Sequence, residues 1–126
     1  MKTKQTIAVV EDEPAICEMY RFKLEQAGFR AVTASDGQEG LAICKKEKPT
    51  LILLDLLMPI MSGDTMLAKL RSTDLGSKVK VIILTNLSKD EAPPVLRLLH
   101  VDRYIVKAHY TPSQVIAIVK EVLGEK

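Results

Sequence analysis

The run Leu51-Ile52-Leu53-Leu54-Asp55 constrains this chain more than any other stretch. Four consecutive apolar residues are too few for a helix and leave no polar face, so they read as a strand buried on both sides. The strand ends on a carboxylate, Asp55, and a loop with Pro59 and Gly63 follows. A charge at the tip of a buried strand is costly unless it meets solvent, a metal or a partner.

The remaining elements repeat one pattern. Ile7–Val10 is a short apolar run closed by Glu11-Asp12-Glu13-Pro14. Pro14 suits the first turn of a helix, where a missing N–H costs nothing. Ile16, Met19, Tyr20, Leu24 and Ala27 then recur at helical spacing up to Gly28. Ala31–Ala34 is a weaker strand, and Asp36 with Glu39 forms a capping-box pattern for a helix carrying Leu41 and Cys44 and ending at Lys48-Pro49. After the Leu51 strand, Ser62 is expected to cap a third helix that presents Met66, Leu67 and Leu70. Val79–Leu84 is the fourth strand. A helix between Ser88 and Leu99 is interrupted by Pro93 and Pro94, so it is expected to start late, near Pro93, and to be short. Tyr104–Val106 is the last strand. Thr111-Pro112-Ser113-Gln114 caps the clearest amphipathic helix, which carries Val115, Ile118, Val119, Val122 and Leu123. Strict alternation of strand and helix predicts an α/β fold, a (βα)5 doubly wound parallel sheet with right-handed crossovers.

Size and composition narrow the function classes. A chain of 126 residues is expected to form one domain over 1–126, large enough to bury about two-thirds of its unfolded surface. Hydrophobic content of 47% and a net charge of +2 are ordinary for a globular protein. The one basic run, Lys45-Lys46-Glu47-Lys48, falls where a helix ends and cations are favoured on dipole grounds, so direct nucleic-acid binding is not expected. Cys17 and Cys44 lack metal-ligand spacing and are expected to be buried free thiols, with a disulfide as the alternative. No signal-peptide pattern and no run approaching ~20 apolar residues occurs, which argues for a cytoplasmic protein without membrane association.

The chemistry lies at the strand ends. Glu11 and Asp12, Ser35, Asp55, Thr85 and Lys107 each follow or close a strand. Ligands of open parallel sheets bind in the crevice beyond those ends. Three carboxylates brought together repel, so either one protonates or a cation neutralises them. A hard cation such as Mg²⁺, which keeps waters and phosphate oxygens in its shell, suits carboxylate ligands. Lys107 supplies a point positive charge and Thr85 a hydroxyl donor. Such a site would hold a phosphoryl group attached to Asp55.

Four motifs now carry a resemblance: Val10-Glu11-Asp12-Glu13, Asp55-Leu56-Leu57-Met58-Pro59 with Gly63, Leu84-Thr85, and Tyr104-Ile105-Val106-Lys107. Together and in this order, they resemble the receiver domain of bacterial two-component response regulators over essentially the whole chain. The resemblance implies the flavodoxin-like strand order 2-1-3-4-5. It implies that Asp55 accepts phosphate from a sensor histidine kinase or a histidine phosphotransfer protein. Asp12, Asp55 and the Leu57 backbone carbonyl would ligate Mg²⁺, with Mn²⁺ as the alternative ion, and Glu11 would act through water. Lys107 would contact a phosphoryl oxygen, Thr85 would move toward it, and Tyr104 would turn inward behind Thr85. The surface of the fourth helix, fifth strand and fifth helix would then bind or release an effector protein or output domain, or form a dimer. Self-phosphorylation and self-dephosphorylation are expected rather than turnover of an external substrate.

Four features depart from that pattern: the Pro93-Pro94 pair in the fourth helix and three single residues. Ala108 follows the site lysine in place of the usual proline, so the cis peptide common there is not expected. His100 stands where a helix-ending glycine is frequent, and Leu57 where a polar side chain often lies beside the phosphoryl group. Two other classes compete. A nucleotide- or flavin-binding domain shares the sheet but would need a glycine- or hydroxyl-rich loop after the first strand, where Glu11-Asp12-Glu13 repels phosphate. A Mg²⁺-dependent phosphohydrolase would need a second general acid, and none is evident.

Overall fold

The computed structural model describes residues 4–74 and 76–124. In chain order the elements are β1 (Thr6–Val10), α1 (Pro14–Gln26), β2 (Arg30–Ala34), α2 (Gly37–Glu47), β3 (Leu51–Leu54), α3 (Gly63–Arg71), β4 (Lys80–Thr85), β5 (Arg103–Val106) and α4 (Pro112–Val122). The five strands form one parallel sheet in the order β2-β1-β3-β4-β5. This is the expected order, with strand boundaries within a residue or so of those read from the sequence.

Side-chain alternation along the strands builds two cores. Ile7, Val9, Leu51, Leu53, Ile82 and Leu84 pack with Tyr20 and Leu24 of α1 and Val115 and Val119 of α4. Their neighbours Ala8, Val10, Ile52, Leu54, Val81 and Ile83 pack on the other face with Cys44 of α2 and with Met66, Leu67 and Leu70 of α3. β3 sits at the centre with all four residues buried, each contributing roughly 1.5–3 kcal/mol of burial free energy. Asp55 is therefore fixed at the end of the least movable strand.

The capping signals behave unequally. At α4, the Thr111 side chain accepts from the Gln114 N–H at 3.2 Å and the Gln114 side chain accepts from the Thr111 N–H at 2.8 Å. Asp36 accepts from the Glu39 N–H at 2.8 Å as expected. Ser62 holds the N-cap position of α3 but makes no capping bond; its hydroxyl donates to Thr65 Oγ1 at 3.1 Å instead.

The β4–β5 crossover contains no α-helix, which corrects the fourth helix of the expected (βα)5 pattern to two 3₁₀ turns, Lys89–Glu91 and Pro94–Leu98. A Ser88–Glu91 capping box starts the first turn, but Ala92 precedes a proline and is extended at φ −66°, ψ 143°. Pro93 and Pro94 then lack the N–H groups that would join the two turns. The second does begin at the prolines, as expected, and ends before His100, whose φ of +54° lies in the left-handed region. That is the conformation a helix-ending glycine adopts.

Candidate functional site

The parallel sheet brings the ends of β1, β3, β4 and β5 to one edge. The Glu11 N–H bonds the Ala34 carbonyl at 3.0 Å and the Asp55 N–H bonds the Val10 carbonyl at 3.0 Å, so the residues just past β1 and β3 stay in register. Thr85 closes β4 and Lys107 follows β5 directly. The loop after Asp55 returns tightly: the Gly63 N–H bonds the Leu56 carbonyl at 3.1 Å, and a Cβ on Gly63 would lie 2.1 Å from the Asp55 carbonyl oxygen. Only glycine lets α3 start this close to the site.

Glu11, Asp12 and Asp55 each offer a carboxylate oxygen, and these oxygens all lie within 4.8 Å of one another. Glu11 and Asp55 are buried, at 4% and 6% exposure. One ammonium answers them: Lys107 Nζ pairs with Glu11 Oε1 and lies 3.2 Å from Asp55 Oδ2. Two backbone donors complete the cradle, Glu13 N–H to Glu11 Oε2 at 3.1 Å and Leu57 N–H to Asp55 Oδ1 at 3.3 Å. Asp12 is half-buried and joins no ion pair among the described residues. Burial pushes the Glu11 carboxyl above the usual carboxylate range, and the Lys107 hydrogen bond only partly offsets it. For Lys107 burial works against the charge, but the bond to Glu11 and the Asp55 carboxylate outweigh it and leave the ammonium harder to deprotonate than usual.

Two further residues face this edge. Thr85 is fully buried, and its Oγ1 has no hydrogen-bond partner among the described residues. A buried hydroxyl left unpaired costs on the order of 1–3 kcal/mol, so a polar partner arriving at the site would recover that loss. Tyr104 is half-buried, and its hydroxyl donates toward the Leu87 and Ser88 carbonyls at 3.0 and 3.2 Å. It thus ties β5 to the start of the crossover.

The structure brings together Glu11, Asp12, Asp55 and Lys107, all named from sequence, and ends β4 on Thr85 at the same edge of the sheet. Ser35 does not join them; it is exposed, and its N–H bonds the Glu39 carboxylate at 3.1 Å at the start of α2. β2 is an edge strand, so its end lies away from the centre. Glu11 makes a direct ion pair with Lys107, a contact the sequence reading did not foresee. Leu57 is 57% exposed at the rim, so its side chain does not pack into the loop. No cis peptide occurs among the described residues, and a three-residue 3₁₀ turn, Lys107–His109, carries the chain past Ala108. The cluster suits a hard cation: three carboxylates against one ammonium leave an excess of negative charge on oxygen donors.

Comparison with known proteins agrees with this geometry. Residues 7–120 match the family model described as the response regulator receiver domain. The chain is 37% identical over 121 residues to the probable transcriptional regulator ycf27 of Porphyridium aerugineum, covering 95% of this chain and 48% of that protein. It is 36% identical over 118 residues to the alkaline phosphatase synthesis transcriptional regulatory protein PhoP of Bacillus subtilis, covering 93% and 48% respectively. The chain thus spans about half the length of these curated relatives. Among solved structures, a CheY-like receiver domain protein from Methanospirillum hungatei JF-1 superposes with a TM-score of 0.85 at 29% identity, covering 97% of this chain and 95% of that one. Motifs, strand order, strand-end cluster and family match agree, and the chain belongs to the response regulator receiver domains of two-component signalling.

Proposed function

We propose that Asp55 is the phosphoacceptor of a Mg²⁺-dependent signalling switch. The observation that supports this most directly is the buried Asp55 carboxylate held 3.2 Å from Lys107 Nζ inside a three-carboxylate cluster. In the transfer, an Asp55 carboxylate oxygen attacks the phosphorus of a phosphohistidine. The P–O bond forms as the P–N bond breaks, and the imidazole leaves with its electron pair and takes up a proton. The donor would be a sensor histidine kinase or a histidine phosphotransfer protein.

Asp12, Asp55 and the Leu57 carbonyl would hold the ion, Mg²⁺ or alternatively Mn²⁺, with Glu11 outside them through water; when bound, it neutralises charge on the carboxylates and the transferring group. Lys107 is shared between Glu11 and Asp55 in the resting protein and would turn to a phosphoryl oxygen. Thr85 would donate its unpaired hydroxyl to another. Its movement would open space behind it for Tyr104, releasing the Leu87 and Ser88 carbonyls and repacking the face of the crossover, β5 and α4. A local charge would then bias two arrangements of one surface. That surface would engage an effector protein, an output domain or a second copy. The chain would catalyse only its own phosphorylation and dephosphorylation.

Incubation with Mg²⁺ and a small phosphodonor, or with beryllofluoride, tests the proposal by intact mass and amide NMR. One modification is expected, with shifts spreading from Asp55 through Thr85 to Tyr104 and the crossover. Asp55→Asn abolishes it; a modification that persists in Asp55→Asn refutes the assignment.

A further inference from the structure

The proline pair opens the surface beside β5. Between the 3₁₀ turns and the strand lies a groove of about 890 Å³ that runs past Pro93, Pro94, Tyr104 and Tyr110. It borders the free edge of the sheet, because among the described residues β5 pairs with β4 alone. The ladder tells which backbone groups face that edge. The Lys80 N–H bonds the Thr50 carbonyl at 3.1 Å, so even-numbered residues of β4 turn their N–H and C=O to β3 and odd-numbered ones turn theirs to β5. Tyr104 and Val106 lie opposite the odd-numbered Ile83 and Thr85. Of two residues opposed in a parallel pair only one bonds across, so Tyr104 and Val106 present their N–H and C=O groups outward.

The groove also has a sign. Lys89, Arg97 and Arg103 line it along with His100, against Asp90 and Asp102. Asp102 is already engaged, accepting from the Val81 N–H at 2.8 Å with Lys80 3.9 Å away. Arg103 pairs with the exposed Glu121. Lys89 and Arg97 are exposed and make no ion pair among the described residues. The uncommitted charge is two cations, Lys89 and Arg97, against the one exposed carboxylate of Asp90, a net positive charge beside an unpaired strand edge with two donors and two acceptors.

We infer that this groove takes an extended acidic segment of a partner protein, which adds as a sixth strand along β5. Alternate backbone groups of the segment bond Tyr104 and Val106, while its carboxylates meet Lys89 and Arg97. The inference rests on the reading of this face as the output surface and specifies its occupant. The sheet edge supplies affinity without regard to sequence, and the basic rim selects acidic segments. Because Tyr104 belongs to both the strand edge and the switch, the occupied groove and the phosphorylated site would bias the same residue.

A blocked heptapeptide of alternating glutamate and valine is the probe, titrated into the full chain with and without beryllofluoride and Mg²⁺ and followed by amide NMR and hydrogen exchange. The glutamate peptide is expected to shift residues 93–97 and 103–106 and to slow exchange of the Tyr104 and Val106 amides. A lysine counterpart should not bind. Backbone N-methylation on one edge of the peptide should abolish binding, whereas methylation on the other edge should not. Lys89→Glu with Arg97→Glu should weaken binding about fivefold or more, as expected for two exposed charge pairs. Absence of binding, equal binding of the lysine peptide, or indifference to methylation on both edges overturns the inference. So does protection of the Tyr104 and Val106 amides that grows with protein concentration alone, because the occupant would then be a second copy. Beryllofluoride modification of Asp55 is read in the same spectra, so failure of the phosphoacceptor reading is distinguished from failure of the groove.

Discussion

At the scale of single residues, Asp12 and Leu57 carry the sharpest expectations. Asp12 adds a third carboxylate to Glu11 and Asp55 while Lys107 is spent on the other two. Asp12→Ala should therefore stabilise the metal-free protein by about 1 kcal/mol or more, the scale of one like-charge contact near a surface. Mg²⁺ is expected to raise the melting temperature of the wild type, and the same substitution should remove that rise, which thermal melts with and without the ion will show. Leu57 points its side chain to solvent beside Asp55, while its N–H bonds the Asp55 carboxylate. An apolar group at that rim cannot orient an attacking water. Leu57→Asn should shorten the half-life of phosphorylated Asp55 about fivefold, the equivalent of one net hydrogen bond of about 1 kcal/mol. An unchanged or longer half-life would count against this role. Both positions were visible in the sequence, because each has a fixed offset from Glu11 or Asp55. The Lys107–Glu11 pair was not, since 96 residues separate its members and only the closed sheet brings them together.

At the scale of elements, the crossover differs most from its surroundings. It lacks an α-helical ladder, and its two ends are tied by side chains. Tyr104 holds the first end through the Leu87 and Ser88 carbonyls. Arg71, the last residue of α3, holds the second. Its guanidinium donates to the carbonyls of Leu99 and His100 at 2.8 and 2.7 Å, and to those of Gly76 and Val79 at 3.0 and 2.7 Å. Burial lowers the Arg71 pKa from its ordinary value, yet a guanidinium stays charged at any physiological pH. Arg71→Ala should destabilise the fold by about 3 kcal/mol, since it strands several carbonyls, and should speed amide exchange across 94–101 more than in α2. Arg71→Lys should rescue little, because an ammonium cannot reproduce the planar fork. The proline pair made the broken helix legible from sequence. The clamp was not, because an arginine at a helix C-terminus is equally expected on dipole grounds.

For the molecule as a whole, stability rests on a sheet buried from both sides, and the helices that cover it carry two buried thiols, Cys17 of α1 and Cys44 of α2. Burial pushes Cys44 up to about 12 and Cys17 up to about 11, from an ordinary value of 9.0. With a folded pKa above the unfolded one, each contributes stability that is fully present below pH 9 and lost as pH rises through the folded value. Denaturation curves should show stability falling above pH 9 by about 1.4 kcal/mol per pH unit for each such group, and Cys44→Ala should remove one share of that slope. Neither thiol should react with an alkylating reagent until the chain unfolds. The sequence by itself determined the alternation of strand and helix, the buried central strand, the strand-end carboxylates and the interruption at Pro93-Pro94. These are local: period, capping chemistry and missing N–H groups act within a few residues. Only the tertiary structure decided that Lys107 closes on Glu11 and Asp55, that Thr85 is left without a partner among the described residues, that Ser35 falls outside the site and that Arg71 anchors the crossover. Each of these depends on which strand ends become neighbours and how far the sheet twists them together. That geometry arises when distant segments pack, and no local pattern encodes it.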